Sequence, residues 1–284
     1  MSPWPPSGAG VRAAGRRGAG APPAEVRRQL IQRTVAVPIT ELEAADGVAW
    51  LRLNRPEALN ALNRELTAAL EQELERVATM DEVRVLVVAG RGRAFCAGND
   101  IKEMQTVTGD EAAALARRQA ALMHRFSTLP QVTVAAVDGW ALGGGLMLAA
   151  AQDLRVASDR ARFGLPEVTL GFNPGYGIAR LFDVVAGGHA RDLLLTGRTI
   201  HATEALRMGL VNRVVAPPTL EASVATFAAE IARSPRGGLA ATKEIVAAIR
   251  AGARGREAEG YGDALRTSAE ARERIREFAS RRRR

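Results

Sequence analysis

Cysteine is almost missing from this chain: Cys96 is the only one among 284 residues. No internal disulfide can form, which excludes the stapled architecture of small secreted proteins. Histidine is nearly as scarce. His124, His189 and His201 are scattered without metal-ligand spacing, so no zinc or other metal site is expected. Long apolar runs are also absent. None approaches the roughly 20 residues that cross a bilayer, so the sequence predicts a soluble chain with no membrane span.

What is present is core material and displaced charge. Hydrophobic residues make up 47% and charged residues 25%, which suits one globular unit of roughly 250 residues. The formal charge of +8 sits mostly at the ends. Arg12, Arg16, Arg17, Arg27, Arg28 and Arg33 face a single early acid, Glu25, and the last four residues are Arg281 to Arg284. Such ends attract any polyanion. They lack interleaved aromatics that would stack on bases, so nucleic acid is not an expected partner. Residues 1–36 are rich in Gly, Pro, Ala and Arg without hydrophobic period, the composition of a disordered basic extension. Its acid-poor start also fits a transit peptide, but its Pro and Gly oppose an amphipathic helix. The expected location is therefore cytoplasmic, with the mitochondrial matrix as the alternative.

From Val48 the pattern becomes ordered. Residues 48–53 alternate as a strand, 63–80 carry helical spacing through Leu66, Leu70, Leu74 and Val77, and 83–89 form a β-branched run of the buried-strand kind. A glycine-bearing loop over 90–100 precedes a helix around 111–126. A second buried strand over 132–137 leads into Gly139-Trp-Ala-Leu-Gly-Gly-Gly145. A helix over 146–151 and a strand over 154–157 follow. Beyond about Thr203 the chain reads as mostly helical, through 220–232, 239–251 and 263–279. Repeated strand–strand–helix units with a helical end predict an α/β protein with an appended helical region.

Two loops carry chemical interest. Phe95-Cys-Ala-Gly-Asn-Asp100 and Gly143-Gly-Gly145 each leave a strand and enter a helical turn. Glycines there let a ligand approach bare backbone and aim unpaired N–H groups at negative charge. Neither loop has dinucleotide or phosphate-loop spacing. Cys96 lies beside the first loop but has no histidine near it in sequence, so a packing role is expected. Asp100 is expected to organise its own loop through backbone hydrogen bonds.

Read together with Asn54-Arg-Pro-Glu-Ala-Leu-Asn-Ala-Leu62, Phe163-Gly-Leu-Pro-Glu167, Gly171-Phe-Asn-Pro-Gly175 and Ala205-Leu-Arg-Met-Gly-Leu-Val-Asn212, these motifs resemble the enoyl-CoA hydratase/isomerase (crotonase) superfamily over about residues 40–280. The resemblance implies an α/β spiral of ββα repeats over 37–202 holding the CoA site. It also implies a C-terminal helical region, 203–284, that supports a homotrimer or a hexamer. The substrate would be an acyl-CoA thioester, with coenzyme A part of the substrate and no separate cofactor. The resemblance places two oxyanion-hole N–H groups on Asn99 and Gly144, with Gly143 beside them. Ala97 would meet the adenine of CoA through its carbonyl, and Lys102 would help hold the phosphates. Gly175 would let substrate approach near Glu167, while Asn173 is a candidate for the pocket wall.

The acid/base positions bear on the reaction. Hydratases that this chain resembles carry one glutamate ending a GGGxE motif and another in F-G-x-P-E. Here Met147 occupies the first place and Glu167 the second. Met147 can neither activate water nor deliver a proton, and it would make that wall of the pocket apolar. The leading expectation is therefore double-bond isomerisation, 3-enoyl-CoA to 2-enoyl-CoA, with Glu167 as the single base. A hydratase or dehydratase with a differently sourced water, an acyl-CoA decarboxylase, and a non-catalytic RNA- or CoA-ester-binding homologue stay open. A serine peptidase of related fold is disfavoured, because no Ser-His-Asp set is evident around these motifs.

Overall fold

The computed structural model describes residues 37–253 and 264–281, and every element below belongs to the unit Pro38–Arg284. The expected basic extension therefore lies outside the described residues.

Two sheets organise the chain. The larger has six strands: β1 (Thr40–Ala45), β2 (Val48–Leu53), β3 (Val85–Gly90), β5 (Val132–Val137), β7 (Leu154–Ser158) and β10 (Arg213–Val215), adjacent in that order. The smaller has four: β4 (Ala94–Cys96), β6 (Trp140–Leu142), β8 (Arg162–Gly164) and β9 (Thr199–His201). The pairs β3–β4, β5–β6 and β7–β8 each give one strand to the large sheet and the next to the small one. Within each sheet these strands pair in parallel, so three successive turns of chain stack as a crotonase-like spiral.

The β-branched runs are continuous because both faces of the large sheet are covered. Alternate residues point to opposite sides. Leu86 and Val88 join a cluster with Leu51, Leu66, Leu70 and Phe126, whereas Val85 and Val87 pack with Val134, Val156, Val224 and Ala228. The first face is covered by α1 (Arg64–Ala78) and α2 (Gly109–Thr128), and the buried α3 (Gly144–Ala151) belongs to the same cluster. The second face is covered by α4 (Leu220–Ala232). Sequence explains the helix starts. Asn63 accepts from the amide of Leu66 at 2.8 Å, and Thr108 with Glu111 forms a reciprocal capping box. The following helix, α5 (Arg236–Arg250), is pinned by buried Lys243, which reaches Asp153 at 2.7 Å and the carbonyls of Phe126 and Gln131.

Several elements depart from the sequence expectation. The loop expected over 90–100 contains β4, and β6, β8 and β9 have no counterpart in the sequence expectation, because three-residue strands show no period to detect. β10 lies inside the region expected to be helical, and it extends the large sheet beside β7. Helix α3 begins at Gly144 rather than Leu146. The final helix breaks at Ser268, whose hydroxyl accepts from the amide of Ala271 and starts a new helix.

Candidate active site

Strands β4, β6 and β8 lie side by side and run parallel, so the chain leaves all three at the same end. β4 releases Ala97 to Asp100, β6 releases Gly143 to Gly145, and β8 releases Leu165 to Glu167. This parallel exit is what brings Asn99, Gly144 and Glu167 to one place. With Ala97 and Gly143 they line a cavity of about 320 Å³ whose remaining walls include Ile101, Met104, Leu170 and Phe172.

Each residue of the triple glycine answers a different close approach. Gly143 has φ 50° and ψ −124°, a conformation that side chains resist, and a Cβ there would lie 2.8 Å from Glu167 Oε1. A Cβ on Gly144 would collide with the Tyr176 hydroxyl and sit 2.8 Å from Asn99 Oδ1. A Cβ on Gly145 would strike the carbonyl oxygen of Cys96. Gly144 also opens α3, so its amide has no carbonyl one turn earlier to bond. Among the described residues, neither the Asn99 nor the Gly144 amide donates to a loop carbonyl. The two loops lie close together: a Cβ on Gly98, which has φ 98°, would be 3.4 Å from the Gly144 nitrogen.

The Asn99 loop is fastened from below. Asp100 Oδ1 accepts from the amide of Lys102 at 3.0 Å and Oδ2 from Arg55 Nη2 at 2.8 Å. Burial would raise the Asp100 pKa, but the Arg55 bond and the amides of Lys102 and Glu103 outweigh it and hold it below the usual carboxylate value. Asp100 thus has the loop-organising place expected of it.

Glu167 lies in a 3₁₀ turn, Pro166–Leu170, and is 9% exposed. Its Oε2 has no hydrogen-bond partner among the described residues. Burial pushes its pKa above the ordinary glutamate value, offset in part by its own backbone amide. Such a carboxylate is a stronger base than a solvated one. Cys96 is the opposite case. Burial pushes its thiol up to about 12, so it stays a neutral packing group.

One residue escaped the sequence reading. Tyr176 is 8% exposed, and its hydroxyl donates to Asn99 Oδ1 at 2.8 Å. Burial raises its phenol pKa far enough to keep the group protonated. The available signal was an aromatic between Gly175 and Gly177, just downstream of Glu167.

Four expected binding residues are not part of the cavity lining. Lys102 is exposed on the short helix Ile101–Met104. Met147, expected as an apolar wall, is only 1% exposed and lies in the core under Gly177, where an added Cβ would meet its sulfur at 2.7 Å. Every residue of α3 is buried, and the Met147 side chain packs against Gly177. Asn173 lines a neighbouring apolar hollow with Phe172 and Ile178, and its side-chain amide bonds the carbonyl of Pro174 at 2.9 Å. Gly175 approaches Ala116 instead. Among the described residues no group of His, Cys, Asp and Glu is placed to hold a metal ion. None of the helices described is long and apolar enough to cross a membrane.

Two loop amides with no backbone acceptor among the described residues, and a carboxylate with an unpaired oxygen, line one cavity with Ile101, Met104, Leu170 and Phe172; such a set can hold a polarised carbonyl while a proton moves at the adjacent carbon. Comparison with known proteins agrees with that chemistry. Residues 43–282 match the family described as enoyl-CoA hydratase/isomerase. A short-chain-enoyl-CoA hydratase from Clostridium acetobutylicum is 42% identical over 184 residues, 63% of this chain and 69% of that protein. An (E)-benzylidenesuccinyl-CoA hydratase from Thauera aromatica is 41% identical over 211 residues, 73% of this chain and 81% of that protein. The crystal structure of an enoyl-CoA hydratase from Bacillus anthracis superposes with a TM-score of 0.80 at 30% identity, covering 86% of this chain and 97% of that one. With fold, strand-end chemistry and sequence in agreement, this chain belongs to the enoyl-CoA hydratase/isomerase family of acyl-CoA enzymes.

Proposed function

We propose that the chain isomerises 3-enoyl-CoA to 2-enoyl-CoA, with Glu167 as the only acid/base group. The observation that carries this reading is the cavity's single carboxylate, buried and raised in pKa, in a lining that also includes Asn99 and Gly144. Glu167 takes a proton from C2, and the C–H electron pair moves toward the thioester carbonyl to give a dienolate. The two amides stabilise the charge on the thioester oxygen, each worth about 3 kcal/mol by analogy with other oxyanion holes. Protonated Glu167 then delivers the same proton to C4, the double bond shifts to C2–C3, and the carboxylate is regenerated. The net change is a proton moved from C2 to C4, with no water and no separate cofactor.

In the same reading the carbonyl of Ala97 receives the adenine of CoA, and exposed Lys102 lies outside the cavity where phosphates would pass. Assembly as a homotrimer or hexamer belongs to the proposal too, supported by exposed Leu265 and Ile275 on the C-terminal helices. Light scattering after size-exclusion chromatography tests it, and a monomer would count against it.

Hydration is the second reading, favoured by the hydratase names of the relatives. Incubation with 3-hexenoyl-CoA and, separately, crotonyl-CoA distinguishes the two. Isomerisation predicts conjugation of the first, followed by absorbance, without water addition to the second, followed by mass. Hydration of crotonyl-CoA would overturn the single-base reading.

A further inference from the structure

Tyr176 is a buried phenol placed against both amide-bearing loops, and nothing in the proposed reaction uses it. Those loops are anchored separately. The Asn99 loop is tied to Leu62, whose amide donates to the Gly98 carbonyl at 2.7 Å and whose carbonyl accepts from Asp100 at 2.9 Å. The Gly144 loop is tied to β8, through the amide of Gly143 and the carbonyl of Gly164 at 2.8 Å. Beyond the paired ends of β4 and β6, no backbone hydrogen bond joins the two loops among the described residues. The Tyr176 side chain makes the link: its hydroxyl donates to Asn99 Oδ1 at 2.8 Å and occupies the place a Gly144 side chain would take.

We infer that Tyr176 is a positioning residue that holds the Asn99 and Gly144 amides at the separation a thioester oxygenate requires. The inference rests on the reading of those two amides as the oxyanion site. Tyr176 touches the loops, not the reacting atoms, and acts through Asn99. Its segment is itself fixed at both ends. The amide of Phe172 bonds the Glu167 carbonyl at 3.1 Å, and Gly177, with φ 82°, seats the turn on Met147 before the Leu181 amide closes onto its carbonyl at 3.0 Å. Base and clamp therefore sit on one continuous strap. Met147 is the floor of that strap.

Oxyanion donors act by fixed geometry, so a loosened donor costs turnover more than binding. The test uses the full chain with Tyr176→Phe, Asn99→Ala and the double variant; Asn99→Ala keeps its backbone amide. Turnover of 3-hexenoyl-CoA, affinity for saturated butyryl-CoA and the ultraviolet absorbance of the enolate of bound acetoacetyl-CoA are read together. Tyr176→Phe is expected to lower kcat about tenfold with KM and butyryl-CoA affinity within about twofold, while the enolate absorbance falls. Asn99→Ala should show the same loss, and the double variant no more than either single, because both remove one hydrogen bond. Unchanged kcat and enolate absorbance in Tyr176→Phe, or losses that multiply in the double variant, would overturn the inference. If Tyr176→Phe does not fold, Asn99→Ala alone decides, and full activity in it counts against the clamp. An unaltered protein that gives no enolate absorbance would overturn the oxyanion reading and this inference with it.

Discussion

The two sheets are wound from the same turns of chain, yet they do different work. The large sheet carries strands of five or six residues through β1 to β7, and most of their apolar side chains are fully buried. Its product is stability, since burial of each large aliphatic side chain contributes about 1.5–3 kcal/mol. The small sheet has only three-residue strands. Its product is placement: the segments that leave β4, β6 and β8 carry Asn99, Gly144 and Glu167 respectively. The spiral thus separates the parts that hold the fold from the parts that aim the chemistry.

That division can be broken at chosen points. The largest effect is expected at the end of β8. Glu167→Gln should lower turnover by about 10³-fold or more while CoA-ester binding persists, because a positioned base is removed without loss of shape. Near-normal turnover would exclude Glu167 from the mechanism. At the end of β6, Gly144→Ala should cost about 10²-fold in kcat, since the added methyl displaces Tyr176 or the Asn99 loop while the large sheet is untouched. A large drop in melting temperature instead would show that the small sheet also carries stability. In the large sheet, Leu86→Ala should destabilise by about 2–5 kcal/mol in chemical denaturation, with kcat of the folded fraction unchanged. A loss of kcat there would mean that the sheets are not separable.

The smallest effect is a pH signature. In the proposed reaction Glu167 acts as its carboxylate, and burial raises its pKa, so the acid limb of kcat/KM should lie above the ordinary glutamate value. The same shift has a cost in stability. Folded protein holds this proton more tightly than unfolded chain, so stability falls as pH rises through the window between the two pKa values and stays lower above it. Glu167→Gln removes that cost. The variant should melt higher than the parent at neutral pH, with the difference closing as pH falls below the unfolded value.

Much of the large sheet was legible. Residues 48–53 and 132–137 were read with the strand bounds that the structure gives, and α4 over 220–232 likewise, because long periodic or β-branched runs report burial directly. The small sheet was not legible, since three residues cannot display a period. Asn99, Gly144 and Glu167, which line one cavity, are singled out in the sequence through a resemblance of motifs. Tyr176 was passed over because an aromatic between two glycines carries no local sign of its partner, which is 77 residues away in sequence. Met147 was misplaced for a related reason: sequence tells that position 147 lacks a carboxylate, but not on which side of α3 its side chain finds space.

The sequence by itself determined that both faces of one sheet are covered, that a carboxylate stands at 167 with none at 147, and that glycines free the backbone at 143 to 145. These are local facts, written in residue type and spacing. Only the tertiary structure decided that three short strands end side by side, that burial raises Glu167, and that Tyr176 spans the two amide loops. Each of those depends on contacts between segments far apart in the chain, which exist only once the spiral has closed.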